Sequence, residues 1–353
     1  MNEPRIERNI DGLFDNYDNQ SYVAVLTHTD LDGYASGACA LAGLKAQGVP
    51  DTGIAMVDYV EMTDAFNRTV NQMRTNLNMS LVVTDLSYKG DIEVEPEIGN
   101  RILWLDHHRD TLLNAGKLEE MGIAFALDAR LCATEIAQQV FYTTSRGSIS
   151  DRLTKMVRSR DLWLDDEHRR EADVLAYMVD AAHRKGGGLP RQVMKMLEFA
   201  YSLPGQINMT PNEFDTHRVE HAVLEEIYHA AKQIGGELDR AIGGAVQAFD
   251  QTVVLASESP LIVVGRLEVE APSSDVLHRF MESGSESLPR GSVGLVVGIR
   301  DGQGSVRRTK GCEVSCREVA GLFGGGGHDA AAGFQLEGRS FEDVVETLRV
   351  RFR

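Results

Sequence analysis

Residues 22–33 read YVAVLTHTDLDG, an apolar run that ends in an imidazole and two carboxylates. An uninterrupted apolar run of this length suits a strand buried on both faces, with polar residues gathered at its C-terminal end. The stretch that follows, GYASGACALAGLKAQG (33–48), is rich in Ala, Gly and Leu and reads as a helix. The alternation then repeats. GIAMVDYV (53–60) reads as a strand and MTDAFNRTVNQMRTNL (62–77) has helical spacing. SLVVTDL (80–86) and RILWLDHH (101–108) are two more apolar runs, each closing in acid or imidazole. Strands alternating with helices predict βαβ units and a parallel sheet. In such open sheets, ligands bind beyond the C-terminal ends of the strands, where His28, Asp85 and His107 fall.

The rest of the chain divides by texture. From about 131 to 245 it reads as helical, through LCATEIAQQVFYTT, ISDRLTKMVRSRDLW and HRVEHAVLEEIYHAAKQIGGELDRAI, with breaks at HRKGGGLP (183–190) and SLPGQINMTPNEF (202–214). The last hundred residues return to strand-like runs at TVVLA (252–256), LIVVG (261–265), VGLVVGIR (293–300) and AGFQLEG (332–338). The predicted organisation is an α/β domain with a parallel sheet over 1–185, a helical linker over 186–250, and a second, smaller α/β domain over 251–353.

Composition narrows the function classes. The chain has 353 residues, 42% hydrophobic and 25% charged, as expected of globular domains with real cores. Its net charge of −17 is the wrong sign for a non-specific nucleic-acid coat. A nucleotide substrate stays open, because a bound metal ion reverses the local field. Four cysteines are too few for a disulfide scaffold, and MNEPRIERNIDGLF has no apolar leader core, so the chain reads as cytoplasmic. No stretch approaches the roughly 18 apolar residues of a membrane helix.

The polar residues at the strand ends carry the chemistry. His28, Asp30 and Asp32 lie in HTDLDG, Asp85 in VVTDLS, Asp106, His107 and His108 in LDHH, and Asp161 in SRDLW. Carboxylates with imidazoles and no thiolate suit Mn²⁺, Mg²⁺ or Zn²⁺. Asp30 and Asp32, two apart, project to the same side if the chain there is extended. Packed together without ions, these acids would repel one another, so the cluster predicts cations. Phosphoester hydrolysis is the reaction that needs it. Two ions roughly 3.5–4 Å apart can hold the phosphate, supply hydroxide at neutral pH and stabilise the leaving oxygen. Thr134, in LCATE, reads equally as a phosphate contact or a helix cap. His183 with Arg184 and Lys185 reads as a solvated loop, and His217, His221 and His229 as a polar helix face.

The order HTDLDG, VVTDLS, LDHH, SRDLW resembles the four motifs of the DHH phosphoesterase superfamily. The run GLFGGGGHDAAAGF (321–334) resembles the GGGH motif of the DHH-associated domain. Together they span most of the chain. The likeness points to small members that trim short oligoribonucleotides (nanoRNases) or act on dinucleotides. It implies that Asp30, Asp85 and His28 hold one metal, and that Asp32, Asp85, His107 and Asp161 hold a second, with Asp85 bridging. His28 stands two residues before Asp30, closer than in many members. The resemblance further implies that Asp106 orients His107 and that His108 serves the scissile phosphate or its leaving group. It implies two divalent ions, Mn²⁺ foremost, with Mg²⁺ or Co²⁺ possible. It places Arg307, Gly325, Gly326, Gly327 and His328 on the distal nucleotide.

The expected activity is hydrolysis of short RNA and of linear dinucleotides such as pGpG and pApA to 5′-mononucleotides. The alternatives are hydrolysis of cyclic dinucleotides (c-di-AMP, c-di-GMP or cGAMP), dephosphorylation of 3′-phosphoadenosine 5′-phosphate, and a non-catalytic nucleotide-binding regulator. No membrane partner and no long nucleic-acid polymer is expected. The oligomeric state stays open, a homodimer included.

Overall fold

The 22–27 run forms the second strand of a six-stranded sheet, and it sits where a parallel sheet needs its most apolar segment. The computed structural model describes residues 6–8, 21–141, 149–164, 166–203, 225–227, 229–233, 236, 240–246, 250–255, 261–267, 273–283, 293–309, 311–327 and 329–352. The chain divides into two compact units, Met1–Gly235 and Gly236–Arg353.

In the first unit the strands are β1 (Ile6–Arg8), β2 (Tyr22–Thr27), β3 (Asp51–Met56), β4 (Met79–Thr84), β5 (Ile102–Asp106) and β6 (Ala124–Leu127). Their order across the sheet is β1-β6-β5-β4-β2-β3. β2 to β6 run parallel, and β1 is antiparallel on the β6 edge. Helices α1 (Leu31–Ala46), α2 (Met62–Thr75), α3 (Pro96–Gly99), α4 (Arg109–Leu113), α5 (Ala115–Glu120), α6 (Ala133–Phe141), α7 (Ile149–Asp161), α8 (Arg169–Lys185) and α9 (Leu189–Ser202) complete it. Both sheet faces are covered, which is why β4 and β5 show no polar alternation. Val23, Val25, Val82, Leu103 and Leu105 pack with α1 and α6 to α9. Leu81, Val83, Ile102, Trp104 and Phe125 pack with α2 and α5 on the other face.

Helix α1 is buried from Leu31 to Leu44. Its small residues follow from that position. A Cβ on Gly37 would lie 2.9 Å from Ile54, and one on Gly43 would lie 2.5 Å from Phe141. The stretch 183–190, expected as a loop, is helical up to Lys185. His183, Arg184 and Lys185 form the exposed last turn of α8, and Gly186 ends it at φ 64°. The segment read as a linker contributes Val193, Met194 and Leu197 of α9 to the core of the first unit. His217 and His221 lie outside the described residues; His229 is exposed beside Gln233.

The second unit contains β7 (Asp250–Leu255), β8 (Leu261–Arg266), α10 (Ser273–Ser283), β9 (Val293–Arg300), β10 (Gln303–Arg308), α11 (Cys316–Gly321), β11 (Gly326–Gly327), β12 (Ala331–Gln335) and α12 (Phe341–Arg351). Its sheet order is β11-β12-β10-β9-β8-β7, with β8 and β9 parallel and the other pairs antiparallel. Cys312 and Cys316 are buried in its core with Val319 and Phe323. No described helix is long and apolar enough to cross a membrane.

Candidate metal centre

The parallel strands bring their C-terminal ends together because their register is in step: Thr27 of β2 aligns with Thr84 of β4, and Thr84 with Leu105 of β5. The residues just past those ends therefore become neighbours. His28, Asp30, Asp32, Asp85, His107 and Asp161, scattered over more than 130 positions of sequence, meet at this edge.

The HTDLDG turn is built around Gly33. A Cβ there would stand 2.4 Å from the His28 carbonyl oxygen, so only glycine lets α1 start against the chain that feeds it. Asp30 caps α1 through Oδ1, which accepts from the Gly33 N–H at 2.9 Å. Its Oδ2 lies 3.0 Å from His28 Nδ1. The helix begins at Leu31, so Asp30 and Asp32 do not project together as an extended chain predicted. Asp30 turns towards His28 and Asp85, and Asp32 towards His107 and Asp161. A buried hydroxyl chain braces the turn. Ser36 donates to Thr84 (3.0 Å), Thr84 to Thr27 (2.7 Å), and Thr27 to the Gly33 carbonyl (2.6 Å). Nothing in the strand patterning marked these hydroxyls, since a buried Thr in an apolar run looks like a space-filler until its partners are known.

Asp32 is clamped by the start of α6. Its Oδ2 accepts from Ala133 N–H at 2.7 Å, and its Oδ1 from Thr134 N–H at 2.9 Å and Thr134 Oγ at 2.6 Å. Thr134 thus spends its hydroxyl on a site carboxylate. Asp85 stands at the centre. Its Oδ1 is 3.2 Å from His107 Nε2, and its Oδ2 is 3.8 Å from His28 Nδ1. It faces one group with each oxygen, from a backbone at φ 56°. That conformation is uncommon for a non-glycine residue and is tolerated best by Asp and Asn. His107 also approaches Asp32 Oδ2 at 3.8 Å and, through Nδ1, Asp161 Oδ2 at 3.6 Å.

Asp106 pairs with His108, not with His107 as expected. His108 Nδ1 lies 2.7 Å from Asp106 Oδ1, while Thr111 Oγ donates to Asp106 Oδ2. The two Asp106 oxygens are taken by His108 and Thr111, while His107, its ring 4.5 Å from that of His108, faces Asp85 and Asp161. The far nitrogen of His108, Nε2, is 2.9 Å from the hydroxyl of Tyr59, which the sequence reading did not single out. No local pattern signals Tyr59, because it sits in the loop after β3 and reaches the site only through the sheet.

The charges are strained against one another. Burial and the Asp30 and Asp32 charges push Asp85 well above the carboxylate range. Burial, with Asp32, Asp30 and Asp106, raises Asp161 to about 8 against the pull of His107. Burial would lower His107, but Asp161, Asp85 and Asp32 outweigh it and hold it well above an ordinary imidazole. Against burial, His28 and the Gly33 N–H hold Asp30 below its usual range, and His108 and Thr111 do the same for Asp106. Asp85 Oδ2 and Asp161 Oδ2 are buried with no hydrogen-bond partner. Unmatched buried acceptors of this kind are costly unless a cation occupies the space between them.

Three sets of ligand atoms lie within 4.8 Å of one another: His28, Asp30 and Asp85; Asp32, His107 and Asp161; and Asp85, Asp106, His107 and His108. Both oxygens of Asp106 already hold donors, so Asp106 is better placed to orient His108 than to ligate. The residues present therefore fit two divalent ions sharing Asp85.

No protein-family model and no curated protein matches the sequence. Solved structures do. The DHH domain of a member of the s1p family of ribosomal proteins matches 97% of this chain and 88% of its own, with TM-score 0.60 at 16% identity. The chain has the fold of the DHH phosphoesterase superfamily. RecJ with Mn²⁺ from Thermus thermophilus superposes at TM-score 0.54 and 13% identity, over 98% of this chain and 54% of that one. The pGpG-specific phosphodiesterase PggH of Vibrio cholerae superposes at 0.51 and 14%, over 94% and 99%. Within this DHH fold the four motifs fall at strand ends and at the end of α7, as described above.

In the second unit the glycine run splits by physical role. Gly324 adopts φ 79°; a Cβ on Gly325 would lie 2.2 Å from the Gly333 carbonyl; Gly327 has φ 137° and would clash with Ala331 and Ala332. Gly326 alone of the four has an ordinary backbone and open space around its Cβ position. His328 lies outside the described residues. Arg307 is half-buried, with Nη1 donating to the Val306 carbonyl at 2.7 Å. Arg308 points to the other side of β10 and braces the following loop through the Cys312 carbonyl at 2.8 Å.

Proposed function

We propose that this DHH protein is a metal-dependent phosphodiesterase that hydrolyses short oligoribonucleotides and linear dinucleotides such as pGpG and pApA to 5′-mononucleotides. The observation that carries this reading is the sharing of Asp85 between two groups of carboxylates and imidazoles at the C-terminal edge of the parallel sheet. His28, Asp30 and Asp85 would hold one ion, and Asp32, Asp85, His107 and Asp161 the other. Such ions supply charge neutralisation for the phosphate and an activated water near neutral pH. Mn²⁺ is the working metal in this reading, and the cytoplasm its place of action.

The chain's own residues do the rest. Asp106 orients His108 through Nδ1, which leaves the Nε2 face towards the site. From there His108 serves the scissile phosphate or its leaving group. Thr134 and the first N–H groups of α6 keep Asp32 from rotating away. In the second unit, Arg307, Gly325 to Gly327 and His328 bind the nucleotide remote from the cut. An Arg fork suits phosphate, and glycine lets backbone N–H groups approach an anion. The fold relative that acts on pGpG supports the substrate class, and the RecJ relatives support nuclease chemistry.

The test is a product time course with Mn²⁺ and four substrates: pGpG, a labelled five-residue RNA, cyclic di-GMP and cyclic di-AMP. Linear substrates should fall to mononucleotides while the cyclic ones persist. Comparable opening of the cyclic ones would replace this substrate class by that of a cyclic-dinucleotide phosphodiesterase.

The glycines give a second prediction. Gly326→Ala should leave the melting temperature within about 2 °C of wild type, since surface changes free of steric conflict fall within about ±0.5 kcal/mol. Its KM should nonetheless rise several-fold. Gly325→Ala should instead destabilise the protein by about 1–3 kcal/mol through overpacking against β12. Thermal melts beside steady-state kinetics separate the two. Equal KM for Gly326→Ala and wild type would remove the glycine run from substrate binding.

A further inference from the structure

Tyr59 is left over by the account above. It lies in the short loop between β3 and α2, and hydrogen bonds from three backbone N–H groups fix that loop. The Val57 N–H donates to the Thr27 carbonyl at 2.9 Å, and the Val60 and Glu61 N–H groups donate to Asp58 Oδ1 at 2.9 and 3.2 Å. The turn thus holds Tyr59 over the site while its neighbour Val60 stays in solvent. The ring sits 4.5 Å from the His28 ring and meets the His108 ring edge-on at 5.9 Å. The hydroxyl is 2.9 Å from His108 Nε2.

The donor pattern follows from Asp106. A carboxylate with Thr111 donating to one oxygen can only accept from His108 at the other, so His108 Nδ1 carries a proton. In the neutral imidazole, Nε2 is then an acceptor, and the Tyr59 hydroxyl is placed to donate to it. The side chains form one line from Thr111 to Asp106, His108 and Tyr59. We infer that Tyr59 is a positioning residue: its hydroxyl, donated to Nε2, fixes the His108 ring from the side opposite Asp106. The inference rests on the proposed hydrolase role of His108. It predicts that Tyr59 acts on turnover through His108 and not on substrate affinity.

The experiment combines kinetics with nitrogen NMR. In Mn²⁺-loaded protein, Tyr59→Phe should lower kcat for pGpG roughly five- to tenfold, the size of one lost hydrogen bond, with KM within twofold. In a His108→Asn background the same change should cost nothing further, because its route is already gone. In metal-free protein labelled with ¹⁵N-histidine, His108→Asn identifies the His108 signals among the ten histidines. Tyr59→Phe should then move the Nε2 resonance towards an unbonded pyridine-type nitrogen and leave Nδ1 protonated. A rise in KM at constant kcat, additivity with His108→Asn, or an unmoved Nε2 resonance would each overturn the inference. If wild type hydrolyses no substrate, the hydrolase reading fails, and the nitrogen spectrum alone decides whether Tyr59 holds His108.

Discussion

Asp85→Asn is expected to abolish hydrolysis, with a loss of at least about 10³-fold, because partners that merely orient metal ligands already cost about 10–100-fold when removed. Asn is the informative substitution. It tolerates the φ of 56° that Asp85 adopts and is nearly isosteric, so the strand end keeps its shape. What disappears is the charge that faces both ligand groups, Oδ1 towards His107 and Oδ2 towards His28. The same variant should be more stable than wild type when no metal is present. Burial and the Asp30 and Asp32 charges oppose ionisation of Asp85, so the metal-free fold must take up a proton there that the unfolded chain has released, and Asn removes that cost. Melting curves with EDTA and with saturating Mn²⁺ check both halves. Wild type should gain several degrees from Mn²⁺, since a ligand at 100 times its Kd adds about 2.7 kcal/mol, and Asp85→Asn should gain little. Retained Mn²⁺ stabilisation in Asp85→Asn would show that Asp85 does not join the two sites.

The second large effect is on the metal-free protein as pH rises. Asp161 is raised to about 8 and Asp85 lies well above the carboxylate range. Both groups hold protons in the folded state that the unfolded chain has released. Raised imidazoles act in the same sense: His107 and His28 remain protonated in the fold above the pH at which they would lose the proton when unfolded. More protons bound to the folded state means that stability falls as pH rises. The contribution is complete below about pH 4, the unfolded carboxylate value, and is lost on passing about 8. Asp30 and Asp106 are shifted the other way, so they matter only on the acid side of about pH 4. In EDTA, the melting temperature should therefore drop by about 5–10 °C between pH 5 and 8, at roughly 2–4 °C per kcal/mol for units of this size. Mn²⁺ should flatten or reverse the trend, because ions replace those protons and bind better when the ligands are deprotonated. A metal-free melting temperature that rises over this range would show that the cluster is not a store of repelled charge.

Much of this site was legible before any coordinates. Apolar runs that stop in His, Asp or Asp-His-His mark strand ends, and alternation with helical stretches makes those strands parallel. Parallel strands in step gather their ends, so His28, Asp85 and His107 had to become neighbours once the fold class was known. Composition did the same for the ligand type, since carboxylates and imidazoles without thiolates leave few choices of ion.

The tertiary structure decided what depends on direction rather than on order. Helix α1 starts at Leu31, so Asp30 and Asp32 part company and serve different groups. Asp106 meets His108 and Thr111, and His107 faces Asp85 and Asp161 instead. Gly33 is required by the His28 carbonyl, Thr134 by the Asp32 carboxylate, and Tyr59 comes from a loop with no motif at all. Each of these rests on contacts between segments distant in sequence or on where a helix begins. Periodicity reports which side of an element is buried, because burial is an average over many neighbours. It is silent on which single atom a side chain meets, because that is set by the packing of elements the local pattern does not contain.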